Sequence, residues 1–81
     1  MSDAREWLLS HVTDFSGNKH PRLDQRIFAD LDINGSDYVD FFDKIDKKFR
    51  VDTKIITEDQ NGKAVDPTVE QVITFIEQGK R

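Results

Sequence analysis

Apolar side chains recur at Ala4, Leu8, Val12 and Phe15, with His11 on the same stripe, the spacing of one helix face. The pattern predicts a helix from about Ser2 to Phe15. Ser2 would cap it, Asp3 would sit in the first turn where the helix dipole favours an anion, and "SGN" (16–18) would end it. On an apolar stripe His11 reads as a packing residue rather than a base or ligand. Trp7, beside it, reads as core or rim.

From Asn18 to Asn34 the period lapses. Pro21 breaks helix, and Ile27, Phe28 and Leu31 offer apolar anchors that should pin this connection to the core. The second helix has the clearest pattern. At about 100° per residue, Tyr38, Phe41, Phe42, Ile45 and Phe49 form one stripe, while Asp37, Asp40, Asp43, Lys44 and Lys47 face away. Ser36 falls on the polar side. Asn34, Gly35 and Ser36 supply capping chemistry at the start, Asp37 follows in the first turn, and Lys47, Lys48 and Arg50 close the far end, an order that complements the helix dipole.

Residues 51–66 read two ways. The β-branched "TKIIT" and the Asn61-Gly62 pair fit a short hairpin or a loop with a brief helical turn. The loop is favoured, because a lone two-stranded hairpin is marginal in water. The last helix opens at "DPTVEQ", where Asp66 can cap, Pro67 fits the first helical position, and Thr68 with Gln71 repeats the capping-box spacing one step later. Val69, Val72, Ile73 and Ile76 make its inner stripe and Gly79 stops it. The expected core gathers Phe28, Leu31, Phe42, Ile45, Phe49, Val69, Val72 and Ile73.

A chain of 81 residues makes one domain, 1–81, that buries only about 60% of its unfolded surface, so a deep catalytic pocket is not expected. There is no cysteine, which removes disulfides and thiolate chemistry, and His11 and His20 are too few for a His-rich metal site. Twelve Lys and Arg against sixteen Asp and Glu give a net charge of -4, the wrong sign for nucleic-acid phosphates and the right one for basic protein partners. "MSDAREWLLSHV" has no long uncharged apolar run, so a cytoplasmic, soluble monomer with no membrane contact is the expectation. "DLDINGSDYVD" carries the carboxylates of a calcium loop, but its glycine comes too early and the twelfth position from Asp30 is not glutamate. No oxyanion-hole signature accompanies Ser36, which argues against a hydrolase triad and against an enzyme.

Three main helices, a long first loop and a serine where the second helix begins resemble an acyl or peptidyl carrier protein. The resemblance spans most of the chain: Asp30-Leu31 before the helix, Phe49 at its end, and "PTVEQVITFIEQGK" (67–80). It implies an all-α, acyl-carrier-like bundle of three main helices with a short helix in the 51–66 loop. It also implies 4'-phosphopantetheine on a serine, placed there from coenzyme A by a magnesium-dependent phosphopantetheinyl transferase, with acyl- or peptidyl-handling enzymes as further partners. A helix N-terminus offers free N–H groups and a positive dipole end to such a phosphodiester.

Carriers typically read Asp-Leu-Gly-x-Asp-Ser-Leu. Aligned without gaps, "DLDINGSD" puts Gly35 where that serine belongs and Ser36 where the leucine belongs; Asp32 replaces the glycine and Asn34 the acid. Gly-Ser-Asp is also similar to a bacterial family of carrier-like domains of unknown function, in which Gly-Asp-Asp is common and the chain ends in a similar Gly-Lys. Ser36 therefore has two readings: the attachment point, with Gly35 absorbing the one-residue shift, or a helix cap. The partner surface in the first reading is Asp37, Asp40, Asp43 and Lys44. In the second the bundle is a non-carrier interaction module that binds proteins through helix two.

Overall fold

The chain folds as a small all-α domain. The computed structural model describes residues 3–79 and contains α1 (Asp3–Ser16), α2 (Gly35–Phe49), α3 (Lys54–Thr57) and α4 (Val69–Gly79). Ser2, the expected cap of α1, lies outside the described residues. No strand occurs among those described; extended pairing is confined to isolated antiparallel bridges between Arg26 and Thr68 and between Glu58 and Ala64.

The amphipathic stripes find one another. α1 packs on α4 and α2, and α3 packs on α4. Leu8, Val12, Phe41, Ile45, Val69, Val72 and Ile76 are wholly buried between them. At about 25 cal/mol per Å² of apolar surface removed from water, these side chains supply most of the drive to fold. α1 ends where Gly17 turns left-handed at φ 76 and donates its N–H to Thr13 O at 2.9 Å. α2 ends on Arg50, also left-handed (φ 57), with the N–H groups of Arg50 and Val51 both reaching Asp46 O.

His11 is a packing residue. Only 5% exposed, it stacks between Trp7 and Phe41, each centroid 4.6 Å away, with Phe15 edge-on at 4.7 Å. Its Nε2 lies 3.0 Å from Phe41 O, a bond from α1 to α2. Burial holds the imidazole below its ordinary value of 6.5, helped by Lys44 and opposed by the Phe41 carbonyl and Asp14. The unfolded state therefore binds the extra proton first as pH falls. Stability from this group is complete above about 6.5 and is lost as pH drops through the folded value. Urea midpoints should fall between pH 7.5 and pH 5.5, and His11→Phe should remove that part of the fall; an unchanged pH profile in the variant would assign it to other groups.

The connection 18–34 is pinned to the start of α4. Ile27 N–H donates to Pro67 O at 3.0 Å, Val69 N–H to Gln25 O at 2.9 Å and Glu70 N–H to Leu23 O at 3.0 Å. Two expectations change here. Phe28, expected in the core, is 53% exposed, while Ile33 is buried in its place. The cause is a tight turn closed by Asp32 in the left-handed region (φ 57), whose N–H donates to Phe28 O; Ile33 N–H then returns to Ile27 O, bringing Ile27 and Ile33 inward together. Asp66 does not cap α4 either. Its carboxylate accepts the N–H groups of Phe28 at 2.8 Å and Ala29 at 3.0 Å. The cap is the box one step later: Gln71 N–H donates to Thr68 Oγ1 at 3.1 Å, and Thr68 N–H to Gln71 Oε1 at 2.9 Å.

Residues 51–66 combine both readings. α3 is a single helical turn with Thr53 buried at its start, and beyond it Asp59 and Lys63 close a turn around Gly62, with Val65 N–H returning to Thr57 O at 2.8 Å.

Candidate functional site

The predicted site residues all lie on α2, with Gly35, Ser36 and Asp37 in its first turn and Asp40, Asp43 and Lys44 further along, and the local backbone shapes the entrance. Asn34 is the N-cap, in extended conformation, and its side chain does not cap; its Nδ2 donates instead to Asp32 O and Oδ1. Gly35 enters the helix at φ 58, where a side chain would be strained, and beyond its own stretch of backbone nothing lies within 4 Å of where its Cβ would stand. Ser36 follows, exposed, one residue inside the turn.

This overturns the cap reading of Ser36. A capping hydroxyl must precede the helix and reach back to an N–H two or three residues on. Ser36 stands past that point, and its Oγ makes no hydrogen bond within the described residues. The helix N-terminus thus carries uncapped amides, the acid Asp37 and a free primary hydroxyl facing water.

Helical spacing divides the expected partner surface. Ser36, Asp40, Asp43 and Lys47 recur at four-, three- and four-residue steps along the outermost line of α2, and Asp43 pairs with Lys47 at 3.0 Å. Asp37 and Lys44, also exposed, stand on the flank toward α1, where Lys44 acts on His11 and Lys48 Nζ lies 5.9 Å from the Trp7 ring. On the opposite flank a cleft of about 350 Å³ lies beside Gly35, lined by Phe28, Tyr38, Ala64, Val65 and Asp66. Tyr38 donates its O–H to Val65 O at 3.4 Å, and burial, then the Asp66 carboxylate, raise its phenol above the ordinary 10.0.

The pattern of apolar positions did not reveal this cleft. By sequence Phe28 reads as an anchor and Val65 as loop, and no local signal marks the carboxylate of Asp66 as the group that draws residues 28 and 29 to it.

Fold and site together define a small all-helical domain that presents an unbonded serine hydroxyl at the mouth of its central helix. No family model matches the chain, and neither a curated protein nor a solved structure matches it. No described helix is long and apolar enough to cross a membrane.

Proposed function

We propose that this domain is a variant acyl or peptidyl carrier whose Ser36 hydroxyl receives 4'-phosphopantetheine and presents a thioester-linked group to partner enzymes. The observation that carries this reading is the state of Ser36: exposed, without an internal hydrogen bond, at the uncapped N-terminus of a 15-residue helix. Two further features support it. Asp32 adopts φ 57 at the position where carriers place glycine, and a short α3 stands between α2 and α4.

The residues present suit the group. The arm, when bound, would supply the thiol; the chain itself supplies the nucleophilic oxygen, the N-terminal amides for the phosphodiester and open space around Gly35. A tethered group gains effective concentration at partner active sites, which is the useful work of a module without catalytic residues.

Incubation with coenzyme A, magnesium and a broad-specificity phosphopantetheinyl transferase should add one phosphopantetheine to the parent, the Ser36 oxygen taking the phosphopantetheinyl phosphorus as the pyrophosphate bond of coenzyme A breaks and adenosine 3',5'-bisphosphate leaves, read by intact mass, and none to Ser36→Ala. If the parent stays unmodified even with its own host's transferase while remaining folded, the bundle is the non-carrier interaction module.

Asp40 and Asp43 lie on the same outward line as Ser36, so the encounter with a basic enzyme surface should run through them. Replacing both with Lys should slow modification about tenfold at low salt and progressively less as salt rises. Equal rates at every ionic strength would remove this line from the interface.

A further inference from the structure

Asn-Gly occurs at Asn34-Gly35 and again at Asn61-Gly62. The pair has a chemistry of its own. The backbone nitrogen that follows an asparagine can attack the carbonyl carbon of that asparagine's side chain, and glycine, lacking a Cβ, leaves the nitrogen unshielded. By sequence the two pairs are equally reactive. Both asparagines are exposed, and both glycines have open space where a Cβ would point, so what separates the pairs is how each asparagine is held.

Asn34 is held by its surroundings. Its Nδ2 donates to Asp32 Oδ1 at 2.9 Å and to Asp32 O at 3.3 Å, and its carbonyl accepts the Tyr38 N–H at 3.3 Å where α2 begins. Ile33, just before it, is buried. Bringing the Gly35 nitrogen onto the Asn34 side chain therefore requires these bonds and the helix entrance to open together. Asn61 is free by comparison. It stands in the 59–62 turn, outside the described helices, and its side-chain amide makes no hydrogen bond among the described residues. The turn is closed by Gly62 N–H on Asp59 O at 3.0 Å, while the Asp59 carboxylate accepts the N–H groups of Asn61 at 2.8 Å and Lys63 at 2.9 Å. Exposed bonds of a surface turn open at little cost, and a helix entrance tied to the core opens at more.

We infer that Asn61 is a site of spontaneous covalent modification, converting through a cyclic imide to aspartate and isoaspartate, while the fold protects Asn34. The Gly62 nitrogen bonds to Asn61 Cγ as the Cγ–Nδ2 bond breaks, and the amide proton departs with the side-chain nitrogen as ammonia. Water then opens the ring. Addition at Cγ breaks the new bond and leaves aspartate, whereas addition at the main-chain carbonyl breaks the original peptide bond and leaves isoaspartate, with the backbone running through Cγ. Either product puts a new carboxylate beside Asp59. Isoaspartate also adds a methylene to the loop that Asp59 N–H closes on Lys63 O at 2.9 Å. None of this depends on the state of Ser36.

The test holds the purified full chain in mildly alkaline buffer at body temperature, folded and in enough urea to unfold it, and follows both pairs by peptide mapping with mass spectrometry. In the folded chain the Asn61 peptide should convert at least about tenfold faster than the Asn34 peptide, and in urea the two rates should converge. The converted Asn61 peptide should elute as aspartyl and isoaspartyl species of equal mass. Gly62→Ala should slow conversion about tenfold, with circular dichroism checking that the helices remain. Equal rates at the two pairs in the folded chain, faster conversion at Asn34, or an undiminished rate in Gly62→Ala would each overturn the proposal. A single aspartyl product would do so as well, by marking direct hydrolysis of the amide. So would an Asn61 that converts in urea and stays intact in the folded chain.

Discussion

Replacing Phe41 with alanine is expected to cost about 3 to 5 kcal/mol, the range for deleting a fully buried phenyl ring and leaving a cavity. The ring is 0% exposed and meets three others: His11 stacked at 4.6 Å, Phe42 edge-on at 5.0 Å and Phe15 edge-on at 5.6 Å. The backbone cannot readily collapse into the gap, because Phe41 O is itself tied to His11 across α1 and α2. Small domains are stable by only about 5 kcal/mol at the lower end of the usual range, so much of the variant should be unfolded at 25 °C. Urea denaturation followed by far-ultraviolet circular dichroism measures it. Phe42→Ala, at a ring 6% exposed, should approach the same loss, and Phe28→Ala should cost less than about 1 kcal/mol, as surface changes do. A small loss at Phe41 would mean that the buried face of α2 is another one.

The second large effect is expected at Asp66, where alanine should cost about 2 kcal/mol through two charge-assisted hydrogen bonds that partly exposed amides then satisfy with water. The carboxylate joins Phe28 and Ala29, 38 and 37 positions away in sequence, while the Asp66 carbonyl accepts from Arg26 Nη1 at 2.6 Å. These bonds fasten the first loop to the entrance of α4, so their removal should loosen one place more than the rest. Hydrogen exchange locates it. Protection should fall at Phe28 and Ala29 in Asp66→Ala and persist in the first turn of α4, which Thr68 and Gln71 cap. The reverse pattern would return Asp66 to the role of helix cap. Asp66→Asn, which retains one acceptor, should lose less than alanine.

Long amphipathic stripes were legible because helical periodicity is local. Phe41, Phe42 and Ile45 on α2, and Val69, Val72, Ile73 and Ile76 on α4, could share a face in no other regular structure, and that face had to be buried. The Thr68–Gln71 box was legible for the same reason, since both partners lie within one turn. His11 could be read as a packing residue from the apolar neighbours at its own spacing. Asp66 was misread because aspartate before proline is a sound local cap signal, and the amides it binds come from a segment far away in sequence.

The order of the main helices, their inward faces and the acidic charge of the whole were determined by the sequence alone, because each depends on spacing within a few turns or on composition. Tertiary structure alone decided which loop residues turn inward, Ile33 rather than Phe28, and that Ser36 stands just past the helix entrance with its hydroxyl unbonded. It also left Phe28, Val39, Ile55 and Val65 exposed in three separate grooves. The physical reason is the same in each case. A side chain outside a periodic element takes its direction from backbone hydrogen bonds to distant partners, here the left-handed turn at Asp32 and the bonds from the first loop to residues 66–70, and no local spacing encodes those partners.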